Sequence, residues 1–410
     1  MSELTVSVAR PGIPGFIGAW PQSRLWLLCV DLYPALAAAS LPWSTTAVSI
    51  FMVLWLLVVL PTVRWPEFFE ALRAPASYLP LAFLALAMVG LFWTEDTWPV
   101  GVQGLFPVSK LLAVPLLLYH YERSERGHWV LFAFLAACVL LMGLSWVTYF
   151  ADCHRAWTFA CAAVMLGFYL DMRFVATSRT AFVYLPVLLI LFAVKYLNRK
   201  HAIYFLLFAA VVEFGVLLSS PYLRDRVVRT VQDYKVDRDT NVDRDTNTYK
   251  KVDRDTNTAT SNGLRLAYWR VSIKSISEAP VFGHGTGSTQ QLFSRQAEGK
   301  SGEWGNIIRN PHNQTLYVAI QWGVLGCLVL YAMWYFHLQL FRGSFFASWI
   351  GLAIVVQNFI SSLLNSHLFD FHEGWIYVLG VGVAGGMATR AQRLRQRTGP
   401  YPPGINNRPG

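Results

Sequence analysis

Residues 46–63 read TAVSIFMVLWLLVVLPTV, 18 residues without a charge. As a helix rising 1.5 Å per residue this block is about 27 Å long, close to the ~30 Å hydrocarbon core of a bilayer. Backbone groups in that environment must hydrogen-bond within their own segment, so the block reads as a spanning helix. Further apolar blocks of this kind lie at about 26–43, 77–94, 106–120, 128–150, 156–172, 180–197, 202–219, 312–335, 345–364 and 374–389, which makes 11 in all. The expected fold is all-α, a polytopic inner-membrane protein with one large extracytoplasmic loop.

Composition supports that reading. A mean hydropathy of +0.38, with 54% apolar and 14% charged residues over 410 positions, excludes an ordinary soluble protein. Cys29, Cys138, Cys153, Cys161 and Cys327 lie in or beside the blocks without CxxC pairing, so neither zinc nor a disulfide framework is expected. Residues 1–25 hold prolines and polar residues and no continuous apolar core, which makes the first block the insertion signal.

Lys and Arg in short loops mark the cytoplasmic side. Arg123 and Arg126, then Lys195, Arg199 and Lys200, then the tail with Arg390, Arg393, Arg395 and Arg397 fall there and carry much of the net charge of +10. No nucleic-acid partner is expected from it. The connections 94–105 and 365–373 lack basic residues and face outward, and three helices back from the tail put 220–311 outside too. The domains are then 1–219 (membrane helices), 220–311 (outer loop), 312–389 (three further helices) and 390–410 (basic tail). One conflict arises, because blocks 156–172 and 180–197 must both descend, so a crossing is hidden or absent between 150 and 180, or a block is re-entrant.

The outer loop contains VDRDTN at 236–241, 242–247 and 252–257. An Asp-x-Asp pair can hold a divalent ion, but each pair here encloses an arginine, and a tandem polar repeat reads as a solvated spacer. Farther on, Leu266, Trp269, Ile273 and Ile276 are spaced for an amphipathic helix over 264–276, lying on the membrane surface with Arg265 and Lys274 at its polar side or edges. Pro280 ends it, and Gly283, Gly285 and Gly287 follow in a turn whose amides could hold an anion or serve as a plain connection.

The stretch Asn310-Pro311-His312-Asn313-Gln314 places a histidine at the start of a spanning helix. The positive end of the helix dipole disfavours an imidazolium, leaving a neutral ring that can accept a proton. A general base and a simple helix cap are both compatible with this position.

Ser178-Arg179-Thr180, Arg265 with Trp269, Pro280 with Gly283-x-Gly285-x-Gly287, His312-Asn313 and Gly323-x-x-Gly326 occur in an order that resembles the O-antigen ligase superfamily, which also holds O-antigen polymerases and protein O-oligosaccharyltransferases. The resemblance implies a GT-C-like architecture of about 12 helices with one periplasmic loop carrying short amphipathic helices, and places Ser178-Arg179-Thr180 at the periplasmic face. The missing crossing falls at that motif, and the VDRDTN repeats are no part of the family pattern. The implied reaction moves a polysaccharide from undecaprenyl diphosphate to a sugar hydroxyl of lipid A-core oligosaccharide. Arg179 and Arg265 would grip the diphosphate, since a guanidinium donates bidentately to phosphate and keeps its charge. Arg270, Arg309, Gly283, Gly285 and Asn313 are weaker candidates. His312 would take the acceptor proton, with inversion and without metal or other cofactor.

Other readings stand beside these. Arg179 could be a snorkelling helix-end residue and Arg265 a headgroup anchor. His284 could touch a phosphate, and Lys110, inside a block, could snorkel or line a cavity. His367 and His372 beside Asp370 and Glu373 could pass for a metal cluster, although a solvated interfacial loop is the expected state. Trp269 and Trp304 could stack on sugars. A transporter would show internal symmetry and interrupted helices, neither of which is visible in the sequence, and a non-catalytic assembly protein has no need of a histidine and two arginines around one loop. Among acceptors, the basic surface helix slightly favours anionic lipid A-core over a glycan or protein hydroxyl.

Overall fold

The computed structural model describes residues 23–150, 181–219, 261–297 and 309–398, and among these every regular element is a helix. The order is α1 (Arg24–Ser40), α2 (Thr45–Val59), α3 (Trp65–Ala71), α4 (Pro75–Val89), α5 (Trp98–Ser109), α6 (Ala113–Tyr121), α7 (Gly127–Phe150), α8 (Ala181–Tyr196), α9 (Arg199–Ser219), α10 (Ser261–Glu278), α11 (Thr289–Ala297), α12 (Gln314–Leu340), α13 (Phe346–Ser362) and α14 (Phe371–Thr398). Short 3-10 turns extend α2 through Thr62 and α4 through Trp93, and join α5 to α6. The chain is an all-α, multi-pass membrane protein. Thr45–Thr62, Pro75–Trp93, Trp98–Tyr121, Gly127–Leu144 and Gln314–Leu340 are each long and apolar enough to cross a bilayer, with Val183–Tyr196 and Phe346–Ser362 as shorter apolar helices.

The ends of these helices follow local chemistry. Ser44 caps α2, its hydroxyl accepting from Ala47 N at 3.2 Å, and Asn313 caps α12 by accepting from Leu316 N at 3.0 Å. Two boundaries differ from expectation. The block expected at 106–120 begins at Trp98, because Pro99 suits a first helical turn, which leaves 94–97 as the outward connection instead of 94–105. The last helix, expected to end at 389, continues through the basic segment to Thr398.

The core is aromatic and tightly interlocked. Trp55, Trp322, Trp334, Tyr121, Tyr377 and Phe83 are among its largest fully buried side chains, and Phe83 on α4 meets Trp322 on α12 edge-on at 5.4 Å. α14 packs closely on α6 and α13, and α4 on α12.

One end of the bundle gathers the basic loops. Arg390 pairs with Glu125, Arg393 with Glu122 at 2.7 Å, and Arg126 with buried Asp31 at 3.1 Å. Lys195 Nζ donates to Gly343 O at 3.3 Å, and Gly343 lies beside Gln392, so the foot of α8 shares this end. α7 therefore runs away from the basic end and α8 toward it. The segment 156–172 lies outside the described residues, as do Arg179, Trp304 and the VDRDTN repeats. Residues 90–97, 280–297, 309–313 and 363–373 gather at the opposite end, where Arg295 pairs with Glu95 at 3.1 Å.

Candidate active site

α12 is not continuous. Gly323 has φ 58° and ψ −152°, a conformation essentially restricted to glycine, and it interrupts the helix nine residues after Gln314. The sequence reading finds no broken helix here, since glycines are common in spanning helices. The carbonyls and amides freed by the break are taken up by the glycine turn. His284 N donates to Ile320 O at 2.9 Å and Gly285 N to Gln321 O at 2.9 Å, while Val324 N donates to Pro280 O at 2.8 Å and Leu325 N to Val281 O at 3.3 Å. Unpaired backbone groups at membrane depth cost several kcal/mol each, so this turn makes the break tenable.

The other side of the turn is held as firmly. Thr286 N donates to Gly90 O at 3.0 Å, Thr286 Oγ1 to Ala87 O at 2.5 Å, and Trp322 Nε1 to Thr286 Oγ1 at 2.9 Å. Gly287 N donates to Gln321 Oε1 at 2.8 Å, and Gly283 N to Ala279 O at 3.1 Å. The amides of Gly283 and Gly285 are thus engaged within the protein. His284, half-buried, donates from Nε2 to Ser275 O at 2.8 Å.

The turn fastens α10 against α12. Tyr268, Val271 and Ile276 of α10 pack on Leu292 and Phe293 of α11 and on Ile320 of α12, with Ser272 and Ser275 buried beneath. The helix expected at 264–276 is present, but its packed face is not the expected stripe. Ile273 is 61% exposed, because the small serines allow the closer approach to α12. Arg265 faces the His312 side and depresses the basicity of that ring. Arg270, five residues and about 140° around the helix, is exposed.

His312 sits just before α12. It adopts φ +55°, a left-handed conformation costing about 1–3 kcal/mol in a non-glycine residue. Buried Pro311 precedes it, and its backbone N–H donates to Asn310 Oδ1 at 2.8 Å. Asn313, not His312, caps the helix, and Asn313 Nδ2 also ties to Leu363 O at 2.9 Å. The His312 side chain meets Asn365 Oδ1 through Nδ1 at 2.9 Å, and Asn365 Nδ2 donates to Asp370 Oδ2 at 3.1 Å. With the amide nitrogen turned toward the carboxylate, its oxygen faces the ring. Nδ1 then carries the proton, and Nε2 is the proton-accepting nitrogen. Burial is the main force lowering the His312 pKa, with Arg265 adding to it and Asn365 opposing. The direction is the one expected from sequence, but the cause is burial and a guanidinium instead of the helix dipole.

Asp370 is the hub of the adjoining turn. It receives Asn365, and Asn310 Nδ2 approaches Oδ1 at 3.5 Å, while Ser366 Oγ donates to Asn310 Oδ1 at 2.7 Å. Burial and the neighbouring Glu373 push its pKa up to about 6, with Lys110 opposing. Lys110 is buried, 7% exposed, and its Nζ donates to Phe369 O at 3.2 Å and Asp370 O at 2.5 Å. A lysine well inside a spanning helix costs about 2.5–3.5 kcal/mol, so these contacts are what retain it. A cleft of about 800 Å³ opens beside it, lined among others by Gln103, Lys110, Arg309, Asn310, Tyr317 and Asp370. Arg309 is exposed there.

The loop at 365–373 is not the solvated segment expected. His367 is 6% exposed, and ligand atoms of His367, Asp370 and Glu373 lie within 4.8 Å of one another, while His372 is exposed and apart. One imidazole nitrogen and two carboxylates form a donor set that could hold a divalent ion. Lys110 beside Asp370 and Arg265 beside His367 already bring positive charge into the same space.

Residues 164–332 match the family model described as O-antigen ligase. The resemblance to the O-antigen ligase family thus rests on this one segment. No curated protein matches the chain. The O-antigen ligase match covers α8 to α11, the glycine turn, His312 and the broken part of α12, and its members are glycosyltransferase-like enzymes. Lys110, Asn365 and Asp370 lie outside it. Their link to His312 had one trace in the sequence, the polar run Asn365-Ser-His-Leu-Phe-Asp370 between two apolar blocks.

Proposed function

We propose that the protein transfers a polysaccharide from undecaprenyl diphosphate to a sugar hydroxyl of lipid A-core oligosaccharide, at the periplasmic face of the bacterial inner membrane. The observation that carries the reading is His312, a partly buried ring anchored through Nδ1 by Asn365, with the Arg265 guanidinium close enough to lower its basicity. The site lies at the end of the bundle opposite the basic loops, which by the positive-inside bias face the cytoplasm.

In the reaction the acceptor hydroxyl gives its proton to His312 Nε2 as its oxygen bonds to the anomeric carbon. The bond from that carbon to the diphosphate breaks, and its electron pair leaves with the phosphate. Arg265, joined by Arg179, grips the diphosphate and stabilises the charge it gains, usually the largest catalytic contribution. Attack opposite the leaving group inverts the carbon. The arginines supply the positive charge, so no metal ion is required. Arg309 and Arg270 are less central, and Asn313 serves by fixing the start of α12.

The break at Gly323 is a feature that transporters also use. Here the glycine turn fills it with backbone, which favours an enzyme held rigid around one site. A polymerase or protein O-oligosaccharyltransferase would share the donor chemistry and differ in acceptor.

The test is His312→Ala in purified protein with lipid-linked glycan and lipid A-core. Transfer should fall by about 10²- to 10⁴-fold, the usual share of a general base, with donor binding retained. Full activity in the variant would sink the assignment.

A further inference from the structure

Lys110 is the one buried lysine in the described spanning helices, and the chemistry above does not use it. Its position is built from both sides. On its own side, Pro107 cannot donate a helical hydrogen bond, and the chain tightens into the 3-10 turn Lys110–Leu112 between α5 and α6. On the far side stands Gly374, where any β-carbon would lie 2.1 Å from Lys110 Nζ and 2.5 Å from Leu368 O. A glycine there leaves room for both the ammonium and the turn it holds.

Two of its donors are committed to carbonyls 259 and 260 residues away, those of Phe369 and Asp370. Both residues belong to a turn closed by Phe369 N and Asp370 N, each donating to Ser366 O at 2.9 Å. That turn also aims the Asp370 carboxylate at Asn365 Nδ2, and Asn365 Oδ1 holds His312 Nδ1. An unbroken line of contacts thus runs from the ammonium through the 366–370 turn and Asn365 to the ring.

We propose that Lys110 is a positioning residue for His312, fixing the turn from which Asp370 and Asn365 set the orientation and tautomer of the ring. The inference rests on the reading of His312 as the base. Lys110 acts at a distance and does not touch substrate. A lysine that instead bound the donor phosphate through the adjoining cleft would show itself in donor KM.

The experiment is steady-state transfer in proteoliposomes with lipid-linked glycan and lipid A-core, comparing Lys110→Met, Asn365→Ala, their double variant and His312→Ala, with thermal stability measured on each. Lys110→Met should lower kcat by about 100-fold, the usual penalty for a displaced catalytic group, with donor KM within about twofold. The double variant should be no slower than Asn365→Ala alone, because residues acting as one unit are not additive. Lys110→Gln, a polar side chain one atom too short to hold both carbonyls, should also lower kcat with donor KM unchanged and carries the test if Lys110→Met does not fold. The proposal is overturned if Lys110→Met or Lys110→Gln keeps wild-type kcat, if donor KM rises instead, or if the double variant falls by the product of the single losses. Full activity in His312→Ala removes the base reading itself. Loss there with none in Lys110→Met removes only the positioning role.

Discussion

Gly323→Ala probes the joint on which the site is hung. An alanine β-carbon would lie 2.3 Å from Val281 O, 2.4 Å from Val281 C and 2.7 Å from Pro280 O, all backbone atoms that cannot rotate away. The residue would also have to hold φ 58° and ψ −152°, which costs an L-residue about 1–3 kcal/mol. If the turn is pushed off the break, four backbone hydrogen bonds are lost, at about 0.5–1.5 kcal/mol each. The total is about 3–9 kcal/mol, a large share of a typical folding free energy. The assay is thermal unfolding in detergent, with Gly215→Ala as the control, since a β-carbon at Gly215 meets nothing within 4 Å. Gly323→Ala should melt well below wild type and lose transfer, because α10 and Arg265 are seated by the same turn, while Gly215→Ala should melt like wild type. A Gly323→Ala protein with wild-type melting and activity would refute the account of the broken helix.

The remaining predictions concern the ring and its surroundings. Burial, with Arg265 adding to it, holds the His312 pKa below the usual histidine range, and the base works only when deprotonated, so activity should fail as pH drops through that lowered pKa. Removing the guanidinium in Arg265→Ala should raise the pKa and move the acid limb of the kcat/KM profile upward; an unmoved or lowered limb would contradict the pairing. Arg265→Lys should also be costly if the diphosphate is gripped bidentately, and harmless if Arg265 meets only headgroups. Asn365→Ala should cut kcat by about 100-fold through loss of ring orientation, read in single-turnover transfer with donor prebound. Chelator treatment should leave transfer intact, and its abolition would give the His367, Asp370 and Glu373 cluster a metal and end the metal-free mechanism.

The spanning helices were legible because apolar length acts locally along the chain. α5 began earlier than its apolar block because proline at a helix start reads as an interruption in a composition count. The broken helix was hidden for a different reason. Gly323 stands in a Gly-x-x-Gly pair, but nothing marks a break until the carbonyls of Pro280 and Val281, some 40 residues upstream, are seen accepting from Val324 N and Leu325 N. Likewise Asn365 is an unremarked polar residue in sequence and Asp370 stands out only beside His367 and Glu373, and folding alone sets them against His312 and Lys110 across more than 50 and 250 positions. The amphipathic stripe of α10 was read from apolar residues, while the packed face is partly serine, where smallness and not greasiness decided contact.

The central claim is glycan transfer to lipid A-core, and the most direct measurement is reconstitution of the purified protein with an undecaprenyl-diphosphate-linked polysaccharide and, in separate reactions, lipid A-core, free glycan or a protein acceptor, following products by gel mobility. Wild type should build a ladder on lipid A-core alone, and His312→Ala should build none. A ladder on glycan or protein instead, or an undiminished ladder from His312→Ala, would contradict it.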